Sequence, residues 1–255
     1  MSTHTTPLMA AKDIAHSFRG LSVLRGITFD VPEGAITGLI GPNGAGKSTL
    51  FNIVSGFLAP KGGTVRYDGQ DITGWSVPKR ARAGLIRTFQ TPQTFANMTV
   101  EENLVAAGYL GTASSFLEDL FMLPRARGDL RRMRENADAV GERFNLQSVW
   151  GSRAGDLPAG RQRMVELARA AVAQPRLLCL DEPSSGLNME EVTELAQALQ
   201  TLKQGGTTLL LVSHDMDLMT VADTVHVLCF GEIITSGPLR EVKQDPRVRE
   251  AYLGV

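Results

Sequence analysis

Two stretches of this chain combine residue types at spacings that suit phosphate chemistry. Gly41-Pro42-Asn43-Gly44-Ala45-Gly46-Lys47-Ser48 fits G-x-x-x-x-G-K-[ST] in full. Glycines at these positions let the backbone curl so that successive N–H groups point at phosphate oxygens. Lys47 adds a full positive charge for the outer phosphates, and Ser48 offers a hydroxyl to Mg2+. Thr49 carries the loop into a helix whose N-terminus favours an anion. The second stretch is Leu177-Leu178-Cys179-Leu180-Asp181-Glu182, an apolar run ending in two carboxylates. Standing alone, such a pair is as readily plain surface charge. Downstream of a phosphate loop, Asp181 is placed to hold the Mg2+ shell and Glu182 to polarise an attacking water as general base. The expected cofactors are ATP and Mg2+.

The elements that must position these groups are legible in the flanking pattern. Leu8 to Phe18 and Gly26 to Val31 read as strands, with Pro32-Glu33-Gly34 as a turn. Ala35 to Ile40 is a short apolar strand directly before the glycine-rich loop, and a helix runs through Thr49 to Val54. Gly62-Gly63 and Asp68-Gly69 mark turns around a strand from Thr64 to Tyr67. From about Thr91 to Pro158 the pattern turns helical. Thr99-Val100-Glu101-Glu102 matches a capping box, and Arg125 to Phe144 places apolar residues at helical spacing on a charged background. Strand-helix alternation then returns, with strands at Arg176 to Leu180 and Thr207 to Val212 around a helix from Glu190 to Leu202. Parallel strands need helical crossovers, so this order predicts an α/β fold with a mainly parallel sheet, interrupted by a helical subdomain.

Bulk properties exclude several classes. The chain has 255 residues, 43% hydrophobic and 21% charged, as expected of a globular protein with a substantial core. Its 26 basic residues nearly balance 27 acidic ones, which argues against a nucleic-acid partner. The basic cluster Arg125, Arg127, Arg131, Arg132 and Arg134 reads as a solvated helix face, partly balanced by Asp129 and Glu135. Cys179 and Cys229 sit in apolar runs and read as buried reduced thiols. Met1 to Pro7 lacks the pattern of a signal peptide, and no run reaches the ~18 apolar residues of a membrane span. The expectation is a cytosolic chain whose link to a membrane comes through another protein. His4, His16 and His226 have no ligand-like neighbours.

Over nearly its whole length the chain resembles the ATPases of ABC transporters. The resemblance implies a P-loop NTPase with a RecA-like core, an N-terminal antiparallel β region and an inserted α-helical subdomain. Residues 8–90 and 159–237 would form the core, 91–158 the helical subdomain and 238–255 a helical tail. Gln90, in Thr88-Phe89-Gln90, matches the glutamine that senses Mg2+ and water near the membrane subunit. His214, in Val212-Ser213-His214-Asp215, matches the histidine that contacts the γ-phosphate. Ser184-Ser185-Gly186-Leu187-Asn188 matches the loop that crosses a dimer interface, with Asn188 near nucleotide, and Phe18 matches the aromatic that stacks on adenine. The signature departs from the family's Leu-Ser-Gly-Gly-Gln, reading Leu157-Pro158-Ala159-Gly160-Arg161. Gly160 retains an N–H for a phosphate bound by the opposite subunit. The serine hydroxyl is lost, and Pro158 has no N–H.

A narrower resemblance is to the branched-chain amino acid transport ATPases. It rests on Arg87-Thr88-Phe89-Gln90, on Met98 to Leu104, on the proline in the signature, on an insertion around Gly108 to Glu135, and on the terminal Arg249 to Gly254. It implies integral-membrane permeases, a second ATPase subunit (paralogue or second copy) and, indirectly, a periplasmic solute-binding protein. The cytoplasmic face of the membrane is then the expected location. Related importers carry urea, short amides or aromatic acids, and the ATPase does not touch the solute. The alternatives are a lipopolysaccharide-export ATPase, which shares the terminal Tyr-Leu-Gly, a soluble ABC protein, and a nucleotide-binding regulator that does not hydrolyse. Retention of Gln90, Glu182 and His214 speaks against the last.

Overall fold

A computed structural model describes residues 7–111 and 124–253. His4, residues 112–123 of the insertion around Gly108 to Glu135, and Gly254 lie outside them. The chain divides into one unit made of Met1–Gln90 and Arg176–Val255 and a second made of Thr91–Pro175.

In the first unit, β1 (Met9–Phe18) and β2 (Leu21–Val31) form an antiparallel hairpin, with Phe18 opposite Leu21. The second strand starts five residues earlier than the sequence suggests. Arg19 and Gly20 both take left-handed backbone (φ 47° and 89°), the tight turn that matches strand twist. Asn-Gly would have advertised such a turn, and Arg-Gly does not. With β4 (Gly62–Tyr67) and β5 (Gln70–Asp71) the hairpin makes a four-stranded sheet in the order β2-β1-β4-β5.

The second sheet has the order β10-β9-β3-β8-β7-β6. Its strands are β3 (Ile36–Ile40), β6 (Leu85–Arg87), β7 (Leu177–Asp181), β8 (Thr208–Val212), β9 (Thr224–Cys229) and β10 (Glu232–Gly237). Every pairing is parallel except β10 with β9. The apolar runs in β3, β7 and β8 are buried on both faces, as a covered parallel sheet requires. Register brings Asp181 beside Val212, and Val212 beside Leu39. The carboxyl ends of β3, β8 and β7 therefore finish together, at the edge where such sheets bind ligands. Cys179 and Cys229 are free and buried, and burial pushes the Cys179 thiol up to about 12.

Helix α1 (Lys47–Ser55) follows the glycine-rich loop, and α2 (Val77–Arg82) precedes β6. Arg80 of α2 is 1% exposed and has no carboxylate among its hydrogen-bond partners. Its guanidinium donates to the carbonyls of Ile53 (3.1 Å) and Val54 at the end of α1, and to those of Ile72 (2.8 Å), Thr73 (3.2 Å) and Trp75 (3.2 Å). Burial lowers its pKa to about 10, which leaves it cationic at neutral pH. Nothing in the sequence pattern marked this residue. Arg80→Leu strands the carbonyls of Val54, Thr73 and Trp75, each costing about 1–3 kcal/mol, while those of Ile53 and Ile72 keep the N–H groups of Gly56 and Trp75. Even with partial relaxation the loss is about 3 kcal/mol, a fall in Tm of about 6–12 °C for a chain this long. A thermal melt checks it.

The second unit holds α3 (Val100–Ala107), α4 (Pro124–Arg143) and α5 (Ala159–Val172). The capping box at Thr99 is formed, with Glu102 N–H donating to Thr99 Oγ1 and Thr99 N–H to Glu102 Oε2. Fully buried Asn103 accepts from Phe95 N–H (2.8 Å) and donates to the carbonyls of Phe95 and Thr99, fixing the loop ahead of α3. Helix α5 lies within the second unit. Its inward residues Met164, Leu167 and Ala168 are buried, and Glu166 and Arg169 bind the Gln93 backbone of the same unit. Arg131, Arg132 and Arg134 face solvent, with Arg131 paired to Glu135 and Arg132 to Asp129. The remaining helices α6 (Met189–Gln204), α7 (Leu239–Val242) and α8 (Pro246–Leu253) belong to the first unit.

Candidate nucleotide site

The loop from Gly41 to Ser48 runs from the end of β3 into α1, with its tip Asn43-Gly44 exposed. Two glycines are required by close approach. A Cβ on Gly41 would lie 2.0 Å from the Leu228 carbonyl oxygen. Gly46 has φ 107°, and a Cβ there would meet Leu24 at 2.8 Å and the Val23 carbonyl at 3.0 Å. Gly46 is the N-cap of α1, and no side chain caps the first turn, so the N-terminus suits an anion. Lys47 folds back over the loop and donates to the carbonyls of Gly41 (2.7 Å) and Pro42 (3.1 Å). Burial lowers the pKa of its ammonium, while Glu182 and Asp181 pull it back up. Both carboxylates are thus electrostatic neighbours of Lys47. Ser48 is exposed at the start of the helix.

Asp181 ends β7, and one oxygen accepts from Arg87 at 2.9 Å. Glu182 follows with φ 46°, a left-handed conformation that is strained for a residue with a side chain. Its N–H donates to the Val212 carbonyl (2.8 Å), which holds the turn against β8. Its carboxylate oxygen Oε2 lies 2.7 Å from His214 Nδ1 and accepts from the His214 N–H at 3.3 Å. Ser213 and Ser184 hydroxyls lie 3.4 Å apart, tying the two strand-end loops together. Lys47, Asp181, Glu182 and His214 are therefore brought to one sheet edge. Gln90 lies three residues past β6, whose neighbour β7 carries Asp181.

Phe18 is 48% exposed at the end of β1 and meets His16 edge-on at 4.6 Å. His16 thus has a packing partner that the sequence did not suggest, and His226 bonds the Ser236 hydroxyl at 2.7 Å. Asn188 is the N-cap of α6, where its Oδ1 accepts from Glu191 N–H and its own N–H donates to Glu191. The structure thus gives its side chain a capping role. Sequence reasoning missed Tyr252, on α8. Burial pushes its phenol up to about 12, with the Gly41 backbone acting against this and the Glu182 charge adding to it.

Gly160 lies in the first turn of α5, in the second unit. Pro158 is the N-cap (φ −56°, ψ 154°), and no side chain caps the helix. Serine adopts that backbone readily. Pro158→Ser adds an N-cap hydroxyl worth about 1 kcal/mol, against up to about 1 kcal/mol from the freer unfolded chain. The variant is expected to fold, to melt within a few degrees of the parent, and to hydrolyse ATP at least as fast. Loss of folding or of activity would assign Pro158 a structural role.

A family model described as ABC transporter matches residues 24–185, which span the loop, Gln90, the signature and both carboxylates. The chain belongs to the ABC transporter family. It is an ATP-binding cassette and an ATPase by that membership. A second model, described as branched-chain amino acid ATP-binding cassette transporter, matches residues 232–255 of this cassette. The cassette is 38% identical over 97% of its length to BraF of Pseudomonas aeruginosa, a high-affinity branched-chain amino acid transport ATP-binding protein, and covers 98% of that protein. It is 36% identical, with the same coverage, to LivG of Escherichia coli K12, which bears the same description. Among solved structures, the ADP conformation of an ABC transporter's ATP-binding cassette is 33% identical with a TM-score of 0.84, covering 98% of this chain and 100% of that one. A nucleotide-free cassette is 32% identical with a TM-score of 0.82, covering 97% and 99%.

Proposed function

We propose that this ABC ATPase is the energy-coupling subunit of an importer for branched-chain or similar hydrophobic amino acids. The observation that carries the reading is the end-to-end likeness to BraF, joined to the match of residues 232–255 to the branched-chain model. No helix among the described residues is long and apolar enough to cross a membrane. The reading gives the solute path to separate permeases. The chain works at the cytoplasmic face, paired with a second ATPase subunit and served indirectly by a solute-binding protein.

The donor set fits Mg2+. Ser48 and Gln90 offer neutral oxygens and Asp181 a carboxylate, all hard donors. Bound there, Mg2+ would offset charge on the outer phosphates. Lys47 leaves the loop carbonyls for those phosphates, and the backbone from Gly41 to Thr49 cradles the chain of phosphates, with Phe18 on the adenine. Glu182 orients water and takes its proton as the water oxygen bonds to the γ-phosphorus and the β–γ P–O bond breaks, leaving ADP and phosphate. His214, now on Glu182, exchanges that partner for the γ-phosphate. Gly160 of the second subunit supplies an N–H from across the dimer, so loss of the γ-phosphate opens the pair.

Affinity purification of the tagged chain from detergent-solubilised membranes tests the assignment. The expected result is a stable complex with multi-span permeases in which ATP turnover exceeds that of the isolated chain. Recovery of the chain alone from membranes that contain the permeases would contradict it.

A further inference from the structure

Arg87, on β6, stands at the meeting point of the metal carboxylate and an exposed aromatic surface. It pairs with Cys179, two residues before Asp181, so its side chain leaves the same face of the sheet as Asp181. One guanidinium nitrogen donates to Asp181 Oδ2 at 2.9 Å. The other terminal nitrogen donates to Asn52 Oδ1 (2.6 Å) and Ser55 Oγ (2.9 Å), both on α1. The flat cation also lies against three rings, at 4.5 Å from Phe51, 4.9 Å from Phe57 and 5.4 Å from Phe89. Phe57 and Phe89 meet edge-on at 5.8 Å and are 47% and 39% exposed.

We propose that Arg87 is a positioning residue for Mg2+ binding, holding the Asp181 carboxylate in place and linking it to the Phe57–Phe89 surface ahead of Gln90. This rests on the reading of Asp181 as the Mg2+ carboxylate. Only arginine supplies a planar fork with donors on two edges and a face for aromatic contact. Lysine keeps the charge but loses both the second set of hydrogen bonds and the stacking. The fork is rigid, so a displacement of either exposed ring is passed to Asp181. Two effects oppose each other when Arg87 is removed. One fewer cation competes for the carboxylate, which favours Mg2+. The carboxylate also loses the group that sets its angle, and Mg2+ demands near-ideal octahedral geometry. Loss of such outer partners costs about 10–100-fold in metal affinity, so orientation is the larger effect.

The test uses the full chain, a fluorescent ATP analogue and Mg2+ titrations of Arg87→Gln and Arg87→Lys. Without metal, both variants are expected to bind the analogue within about twofold of the parent, because the hydrogen bonds of Arg87 go to Asn52, Ser55 and Asp181 and not to residues 41–48. The Mg2+ concentration at half-saturation is expected to rise at least about tenfold in both. A Phe89→Trp reporter, read against the two native tryptophans, is expected to change its emission when Mg2+ joins bound nucleotide, and to lose that response once Arg87→Gln is added. If Arg87→Gln melts too low to titrate, Arg87→Lys decides. Mg2+ curves that overlay the parent's, or a reporter response unchanged by the substitution, overturn the proposal. A parent chain that fails to bind the analogue would instead overturn the nucleotide-site reading itself.

Discussion

Glu182→Gln is expected to bind Mg-ATP as the parent does while turning over about 10²–10⁴ times more slowly, the usual contribution of a general base. The amide matches the carboxylate in shape, so the left-handed turn at residue 182 and its N–H bond to Val212 survive. What disappears is a proton acceptor beside His214, which now sits 2.7 Å from Oε2. ATP then binds and persists, and the closed pair of subunits accumulates. Single-turnover hydrolysis separates this from a binding defect, and size-exclusion chromatography in Mg-ATP reports the dimer. Turnover within a few-fold of the parent would remove Glu182 from the role of base.

Lys47→Ala is expected to weaken ATP binding by about 100-fold or more, since hydrogen bonds to charged groups are worth about 1.5–3 kcal/mol each and lysine makes more than one with the phosphates. Its ammonium is already held over the loop, on the carbonyls of Gly41 and Pro42, and is only 8% exposed. It therefore needs a short swing, not a search, to meet the phosphates. Calorimetric titration reads the loss, and a thermal melt without nucleotide shows whether the loop itself has been disturbed. Affinity within a few-fold of the parent would contradict the assigned role.

The sequence was most informative where one segment carries its own chemistry. The phosphate loop, the strand ending in Asp181-Glu182 and the capping box at Thr99 each specify local structure through residues a few positions apart. It was least informative where the partner lies far along the chain. Arg87 and Asp181 are 94 residues apart and become neighbours only because β6 pairs with β7. That strand is three residues long, too short for any alternation to reveal. Arg80 looks like one more charge in a basic helix, and its burial follows from the carbonyls of Val54 at the end of α1 and of Thr73 and Trp75 in the loop before α2, which it serves. The helix that the signature opens, α5, is held by partners of the same distant kind, with Glu166 and Arg169 bonded to the Gln93 backbone.

ATP hydrolysis by this chain is expected to drive amino acid uptake through its permeases. Proteoliposomes holding the chain and its co-purified permeases, with ATP on the side of the ATPase and binding protein plus radiolabelled leucine on the other, give the decisive measurement. Leucine is expected to accumulate only with ATP, in competition with isoleucine and valine, and not at all with Glu182→Gln. Hydrolysis that proceeds in those vesicles with no uptake of leucine, isoleucine or valine would contradict it.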